Sequence, residues 1–174
     1  MDNEHQEIVD VVDCNGVVVG TAHKPDVYTD GLSNRIVHIF VIDPASGSIF
    51  LQKRGAKVVY LPNHYCTSAG GHVSSGEEYD VAARRELEEE IGLRTELHHV
   101  EKFIYTCNQS GAPTARFISL YVTYANKGFE LSEEEVSEGY FVSLPEFEEI
   151  LNKGKNLHPQ LEPCWEVFRE SEWF

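Results

Sequence analysis

The sequence predicts one domain of mixed α/β (α+β) class over residues 1–174, and three observations favour that fold class. The chain has 174 residues, the length of one ordinary domain with room for a core. It is 41% hydrophobic and 25% charged, close to the average of globular proteins. Strand-like and helix-like segments interleave along the whole chain, without a repeat or a low-complexity linker. Nothing in the sequence therefore predicts a domain boundary.

The first third of the chain is predicted to be mainly β. Two β-rich segments, 7–12 and 17–21, flank Asn15-Gly16, a pair typical of tight hairpins, so residues 1–34 predict an N-terminal hairpin extension. The segments RIVHIFVI (35–42) and IFLQK (49–53) surround a cluster of turn formers and predict a second hairpin. Residues 54–72 show no helical period and predict a loop that leads into a short strand.

The rest of the chain predicts three helices and three strands. The segment EEYDVAARRELEEEI (77–91) is rich in helix formers and stops at Gly92, which suits a helix C-cap. Strands are predicted at 101–106, 116–124 and 140–143. Leu144-Pro145-Glu146 predicts the start of a helix that runs to about residue 153, and a last helix is predicted at 159–169.

The charge of the chain limits its partners. There are 14 Lys and Arg against 29 Asp and Glu, a formal charge of -15 that repels nucleic-acid backbones. A small phosphorylated ligand stays compatible, because divalent cations reverse the field inside an acidic pocket. The first seven residues are acidic rather than basic, and no apolar run approaches the roughly 18 residues of a membrane span. We expect a cytoplasmic protein that binds neither nucleic acid nor membranes.

Three carboxylates share one face of the 77–91 helix. At about 100° per residue, Glu86, Glu89 and Glu90 fall within a sector about 100° wide. Like charges on one helix face repel unless something neutralises them. Mg²⁺ prefers carboxylate oxygens and leaves coordination sites for water and phosphate. A glutamate run taken alone is more typical of a solvated acidic face, so the spacing of its neighbours decides between the two interpretations.

That spacing resembles the Nudix box of the Nudix hydrolase superfamily, over residues 71–93. The first glycine is followed by five residues and a glutamate, then by seven residues and an Arg-Glu-apolar triplet, a free position, a glutamate pair, another free position and Gly-apolar. The matching residues are Gly71, Glu77, Arg85, Glu86, Leu87, Glu89, Glu90, Gly92 and Leu93. The resemblance implies an α-β-α sandwich with a mixed central sheet, in agreement with the element order.

The resemblance implies a metal-dependent hydrolase of a diphosphate linkage, in a nucleoside diphosphate joined to another group. Metal-activated water would attack phosphorus, with Mg²⁺ or Mn²⁺ as the cofactor. The implied metal ligands are Glu86, Glu89 and Glu90, together with the main-chain carbonyl of Gly71. Arg85 joins Glu86 and Glu89 as a catalytic candidate, although ion pairing between Arg85 and Glu77 is its favoured role. Glu77 and Gly92 are expected to be structural.

The general base has two possible sources in the family, the box or a glutamate in a later loop. Glu86 and Glu89 are the candidates within the box. Glu134, Glu135 and Glu138 lie in LSEEEVSEGYF, where a later glutamate is expected, and Glu135 and Glu138 are retained as possible bases. Each of these residues also fits a solvated acidic loop.

Substrate phosphates need cations other than the metal. Arg54 ends a predicted strand and Lys57 follows in the loop before the box, so both are candidates to bind a diphosphate. Arg116, at the start of a predicted strand, is a weaker candidate. Each also fits the role of an ordinary surface cation. Four aromatic residues are candidates to stack on a base or to fill the core: Tyr60, Tyr65, Tyr105 and Phe117.

Within the superfamily the chain resembles the branch related to isopentenyl-diphosphate isomerase, through its N-terminal hairpin, Arg35, the 54–62 loop and Gly71-His72. The isomerases carry a catalytic cysteine immediately before the Gly-His pair, where this chain has Gly70. They also carry a glutamate pair on a later strand, and residues 116–121 contain none. Carbon protonation and deprotonation need both groups. The isomerase-like Nudix hydrolases are therefore the better match, with an isomerase as the alternative.

A second alternative is a sensor that binds a nucleotide or ADP-ribose without hydrolysing it. Nudix domains of that kind typically lose box glutamates, whereas this chain retains all of them. Homodimers are common in the superfamily, so a homodimer is possible. The substrate within the class of nucleoside diphosphate derivatives stays open, because fold similarity does not choose among them.

Overall fold

The computed structural model describes residues 7–109 and 111–174, and the acidic segment 1–6 behind the localisation prediction lies outside them. The strands in this part are β1 (Ile8–Val12), β2 (Val18–His23), β3 (Asn34–Ile42), β4 (Ile49–Arg54), β5 (Tyr65–Cys66), β6 (Ala69–His72), β7 (His98–Gln109), β8 (Ala112–Tyr124) and β9 (Val136–Val142). The helices are α1 (Lys24–Thr29), α2 (Tyr79–Ile91), α3 (Leu144–Lys153) and α4 (Leu161–Arg169). None of these helices combines the length and the apolar run needed to cross a bilayer.

The strands form one mixed sheet with β3 at its centre. β8 runs parallel to β3 along its whole length, from Asn34 opposite Arg116 to Ile42 opposite Tyr124. On its other edge β3 pairs antiparallel with β6, whose glycine-rich segment carries the start of the Nudix box. β4 pairs antiparallel with both β5 and β9, and β7 with β8. The predicted mixed central sheet is confirmed.

Helices cover both faces of the sheet. β3 is apolar and buried on both sides, as expected of a strand between two layers. The apolar face of α2 packs on one side of the sheet, while α3 and α4 pack on the other around Phe147, Trp165 and Phe168. Removal of this apolar surface from water is the main force that joins the layers. The predicted α-β-α sandwich is confirmed.

The two helices with the clearest end signals match their predictions. α2 ends at Gly92, whose φ of 73° is left-handed, and a Cβ there would lie 2.7 Å from the Cβ of Glu130. α3 begins with a capping box in which Ser143 and Glu146 satisfy each other's backbone N–H groups. The last helix, predicted from residue 159, begins at Leu161, and the strand predicted at 140–143 begins at Val136.

Two features of the first third differ from the predictions. The β1–β2 hairpin is present, but the six-residue helix α1 follows it, and a helix of this length is too short to show an apolar period. The second predicted hairpin has far less strand pairing than expected. β3 and β4 pair only where Ile42 faces Ile49, because β8 and β6 occupy most of the two edges of β3.

Candidate active site

A cavity of about 190 Å³ opens where the box meets the N-terminal extension. Its walls come from α1, the middle of β3, the loop after β4, the glycines of β6, one face of α2, the β7–β8 strands and the segment before α4. Residues distant in sequence therefore meet around one space. Two of its walls are charged.

The carboxylate wall consists of Glu86, Glu90 and Glu135. One carboxylate oxygen from each lies within 4.8 Å of the others. Glu86 and Glu90 are four residues apart on α2, and both are almost fully buried. Glu135 comes from the turn before β9. Three converging carboxylates are the kind of oxygen donor set that binds a hard divalent cation.

Glycines bring this wall to the cavity. The backbone N–H of Gly70 donates to Oε2 of Glu90 at 2.8 Å. A Cβ on Gly71 would collide with the carboxylate of Glu86, so any larger residue would force that carboxylate to shift. The N–H of Gly55 donates to the backbone carbonyl of Glu135 at 2.7 Å and so holds the third glutamate's turn against the end of β4.

The carboxylate wall is electrostatically unbalanced. Burial raises the pKa of Glu86, against the opposing effect of Arg85. Burial also raises the pKa of Glu90, and repulsion from Glu86 and Glu135 raises it further. A divalent cation would relieve both effects, because it replaces lost solvation and neutralises the repulsion. The residues at this wall therefore fit the metal that the box implies.

Arg85 ties the start of the box to the helix. Its guanidinium binds both carboxylate oxygens of Glu77, at 3.0 and 2.9 Å, and donates to the His72 carbonyl at 3.0 Å. It also donates to Glu86 at 2.8 Å and to Glu89 at 3.1 Å. The side chain of Glu89 is 52% exposed and pairs with Arg85, and neither residue is among those that line the cavity.

The three glutamates of the later loop lie in different environments. Glu135 is half-buried and joins the carboxylate wall. Glu138 is exposed on β9 and pairs with Lys53 at 3.1 Å, while Glu134 is exposed on the turn. Of the three later-loop candidates, the structure brings Glu135 to the box.

The cationic wall, Lys24, Arg54 and Arg116, lines the same cavity. Arg116 is 2% exposed and donates to the Leu32 carbonyl at 2.6 Å. Arg54 donates from Nε to the Tyr60 carbonyl at 3.1 Å. Lys24, at the start of α1, pairs with Glu7 at 2.9 Å. Lys57 is exposed and is not among the residues that line the cavity.

Aromatic rings also line the cavity. Tyr28 stacks on Tyr60 with ring centroids 4.3 Å apart, and its hydroxyl lies 3.2 Å from Nε2 of His72. Burial raises the pKa of Tyr28 to about 12, so this hydroxyl stays protonated. Tyr105 also lines the cavity, whereas Tyr65 and Phe117 do not.

The lining residues that the sequence did not single out include Lys24, Tyr28, His158 and Gln160. The first two lie on α1, which carries no helical period. The last two precede α4, about 65 residues after the box. No local spacing rule connects either pair to the box, so the sequence contained no signal that would have found them.

The position of the isomerase cysteine has no room for a side chain. A Cβ on Gly70 would lie 2.6 Å from the Val37 carbonyl oxygen and 2.9 Å from Nδ1 of His38. Cys66, four residues earlier in the sequence, is buried, and burial raises its pKa, which keeps it protonated. The packing at Gly70 therefore disfavours a catalytic cysteine at that position.

Comparisons with known proteins agree with the box. The family model described as NUDIX domain matches residues 32–162. An uncharacterised Nudix hydrolase of Nostoc sp. is 31% identical over 163 residues, which cover 93% of this chain and 95% of the relative. An isopentenyl-diphosphate Delta-isomerase 2 of Photorhabdus laumondii is 29% identical over 153 residues, covering 87% of this chain and 86% of the relative.

Solved structures share the fold. A protein of Deinococcus radiodurans superposes with a TM-score of 0.77 at 21% identity, covering 94% of this chain and 98% of that one. The NUDIX domain of Shewanella oneidensis NrtR, complexed with ADP ribose, superposes with a TM-score of 0.60 at 13% identity, covering 79% and 87%. At these identities the likeness shows the architecture and not the substrate.

Proposed function

This chain belongs to the Nudix hydrolase family, and from that premise we propose that it hydrolyses the diphosphate linkage of a nucleoside diphosphate joined to another group. One observation carries the proposal: the carboxylate wall and the cationic wall face one cavity. A cation on the first wall and phosphate oxygens on the second would place a diphosphate between them. The single-domain extent 1–174, the homodimer and the cytoplasmic location stay predictions.

The proposed cofactor is Mg²⁺ or Mn²⁺. Glu86, Glu90 and Glu135 would hold it, with the Gly71 carbonyl beside them; Glu89, now paired with Arg85, stays a predicted ligand. When bound, the ion supplies activated water and screens the phosphate charge. The fit rests on the convergence of three buried or half-buried carboxylate groups within 4.8 Å of one another.

The proposed roles of the protein's own groups follow from their positions. Arg54 and Arg116 bind phosphate oxygens through planar guanidinium forks, and Lys24 adds a point charge. Glu135 accepts the proton of the attacking water, because it is half-buried and so keeps contact with solvent. Arg85 positions Glu86 and Glu77 and does not touch the substrate.

A hydrolase is favoured over an isomerase by the packing of Gly70 against Val37 and His38. An isomerase of the related branch needs a thiol at that position, and a side chain there would displace β3. The intact carboxylate wall favours turnover over a sensor that only binds.

The proposal is tested by phosphate release from nucleoside diphosphates and triphosphates, nucleotide sugars and ADP-ribose, with Mg²⁺ or Mn²⁺. The native protein is compared with Glu90→Gln, which removes one carboxylate charge from the wall. Glu88→Gln is the matched control, because Glu88 lies on the same helix but points to solvent beside Arg94. We expect metal-dependent release that Glu90→Gln lowers by about 10³-fold and that Glu88→Gln leaves intact.

Two other results would indicate a different function. Binding of ADP-ribose without any release would indicate a sensor. Isomerisation of isopentenyl diphosphate without release of phosphate would indicate the isomerase alternative, despite the packing at Gly70.

A further inference from the structure

His158 and Gln160, just before α4, form the floor of the cavity and belong to neither charged wall. Both residues are buried, with 7% and 5% of their surface exposed. Buried polar side chains normally find hydrogen-bond partners, so the groups that they leave unpaired indicate what a ligand must supply.

The ring of His158 is a hydrogen-bond donor. Its Nδ1 accepts the backbone N–H of Gln160 at 3.3 Å, so the neutral ring carries its proton on Nε2. Burial lowers the pKa of His158 well below its usual value, and the neighbouring His38 and Arg54 lower it further, which keeps the ring neutral. Among the described residues, Nε2 of His158 has no hydrogen-bond partner.

The side chain of Gln160 also offers a donor. Its Oε1 is 2.7 Å from Nε2 of His38. Burial lowers the pKa of His38 to about 4, so that ring is neutral. An amide oxygen only accepts, so His38 donates through Nε2. Its Nδ1 then accepts from the Thr67 hydroxyl at 2.7 Å, which is closer than the Ala69 carbonyl at 3.1 Å. The amide nitrogen of Gln160 is left without a partner in the part of the chain that the structure describes.

The floor therefore presents two donors, Nε2–H of His158 and the amide of Gln160. A ligand group with acceptor atoms would satisfy both. A hydrocarbon group would remove them from water without replacing their hydrogen bonds, which is strongly unfavourable.

We propose that His158 and Gln160 select the group attached to the diphosphate, accepting one with hydrogen-bond acceptors, such as a nucleobase carbonyl, and rejecting the hydrocarbon of an isoprenyl diphosphate. This inference rests on the proposed function and narrows its substrate class. Phosphate oxygens are acceptors as well, so a further phosphate of the substrate is a second source of the same chemistry.

The test measures binding separately from turnover. Calorimetric titrations with Mg²⁺ use analogues in which a methylene group replaces the bridging oxygen of the diphosphate, so that hydrolysis does not occur. Three ligands are compared: the analogue of uridine diphosphate, the analogue of dimethylallyl diphosphate, and methylenediphosphonate, which carries neither group. We expect the uridine analogue to bind about 100-fold more tightly than the dimethylallyl analogue.

Variants of His158 test whether this preference comes from the floor. His158→Phe keeps a ring but removes the donor, and should weaken the uridine analogue about tenfold without weakening the dimethylallyl analogue. His158→Gln restores a side-chain donor and should recover part of the loss, which a merely structural role would not predict. Weakening of methylenediphosphonate by His158→Phe would instead identify phosphate as the group read by the floor.

Two results would overturn the inference: equal binding of the uridine and dimethylallyl analogues by the native protein, or equal weakening of both by His158→Phe. Phosphate release from native substrates is measured in parallel. Selective binding without release would contradict the hydrolase and leave the selection standing, whereas release with unselective binding would contradict the selection alone.

Discussion

The two charged walls of the cavity are stabilised in different ways. The cationic wall is compensated within the protein, because Arg116 and Arg54 donate to backbone carbonyls and Lys24 pairs with Glu7. The carboxylate wall is compensated only in part, because Arg85 pairs with Glu86 and the Gly70 N–H donates to Glu90, yet burial still raises the pKa values of both glutamates. The cationic wall is therefore held by protein groups, whereas the carboxylate wall would gain more from a bound cation.

This difference teaches how a net charge of -15 would be compatible with the proposed diphosphate substrate. A divalent cation on the carboxylate wall would reverse the local field that repels phosphate. The arginines that line the same cavity would then bind the phosphate oxygens. Substitutions on the two walls should consequently have different kinetic signatures.

The largest effect is expected at Glu135. Glu135→Gln should lower kcat about 10³-fold, because it removes both the proposed base and one of the three converging carboxylates. Glu138→Gln is the matched control, since Glu138 lies three residues later but is exposed and paired with Lys53. Steady-state kinetics of the two variants measure the difference. Equal effects of the two substitutions would contradict the assignment of the later-loop glutamate.

A smaller effect on the same wall is expected at Gly71. Gly71→Ala places a methyl group against the carboxylate of Glu86 and should weaken metal binding about 10- to 100-fold. Gly20→Ala is the control, because a Cβ there meets nothing within 4 Å. Calorimetric titration with Mn²⁺ measures the affinity. Unchanged affinity of Gly71→Ala would show that Glu86 has freedom to move without losing the ion.

On the cationic wall, Arg54→Ala should raise KM about tenfold with a smaller change in kcat, because it removes a charged contact to phosphate. Lys57→Ala should change KM less than about twofold, since Lys57 is exposed and outside the cavity. From the sequence, Arg54 and Lys57 were equal candidates to bind a diphosphate. A larger effect at Lys57 than at Arg54 would mean that the loop after β4 rearranges around the substrate.

The smallest effect is expected away from both walls, at Asp10 of the N-terminal hairpin. Burial acts to raise the pKa of Asp10, but hydrogen bonds from Ser75, Gly76 and Arg35 dominate and lower it. A lowered folded-state pKa stabilises the protein above the unfolded-state pKa, and this contribution is lost as pH falls through the folded-state pKa.

Asp10→Asn should therefore lower the free energy of unfolding by about 1.5 kcal/mol at pH 7, with the difference shrinking as pH falls below the usual range of aspartate. Urea denaturation at neutral and acidic pH measures it, with the exposed Glu133→Gln as the control for net charge. A pH-independent difference would indicate that packing, and not the ionised carboxylate, links the extension to the box.

The local parts of the fold and site were predictable from the sequence. The box helix α2, its end at Gly92 and the neighbouring positions of Glu86 and Glu90 follow from helix geometry within about fifteen residues. The residues supplied by long-range pairing were found only in part. Arg116 reaches the cavity because β8 pairs parallel with β3, and the sequence analysis ranked it below Lys57.

The remaining differences between the sequence predictions and the structure also arise from tertiary contacts. Glu89 shares a helix sector with Glu86 and Glu90, yet it pairs with Arg85 and does not line the cavity, a contact that angular position alone does not reveal. The position of Glu135 depends on the packing of its turn against Gly55. Lys24, His158 and Gln160 lie in short segments whose placement is set by tertiary contacts. Local periodicity therefore predicted the positions of Glu86 and Glu90 on α2. The tertiary fold brings the other residues to the cavity.

Anomalous diffraction from crystals grown with Mn²⁺ would test the convergence of Glu86, Glu90 and Glu135 on one cation most directly. We expect an anomalous peak inside the cavity, with carboxylate oxygens of these three residues at about 2.1 Å, the spacing of octahedral Mg²⁺ sites. The same crystals of Glu90→Gln should show a much weaker peak. Absence of a peak in the cavity of the native protein, or a peak that touches none of these glutamates, would contradict the proposed metal site.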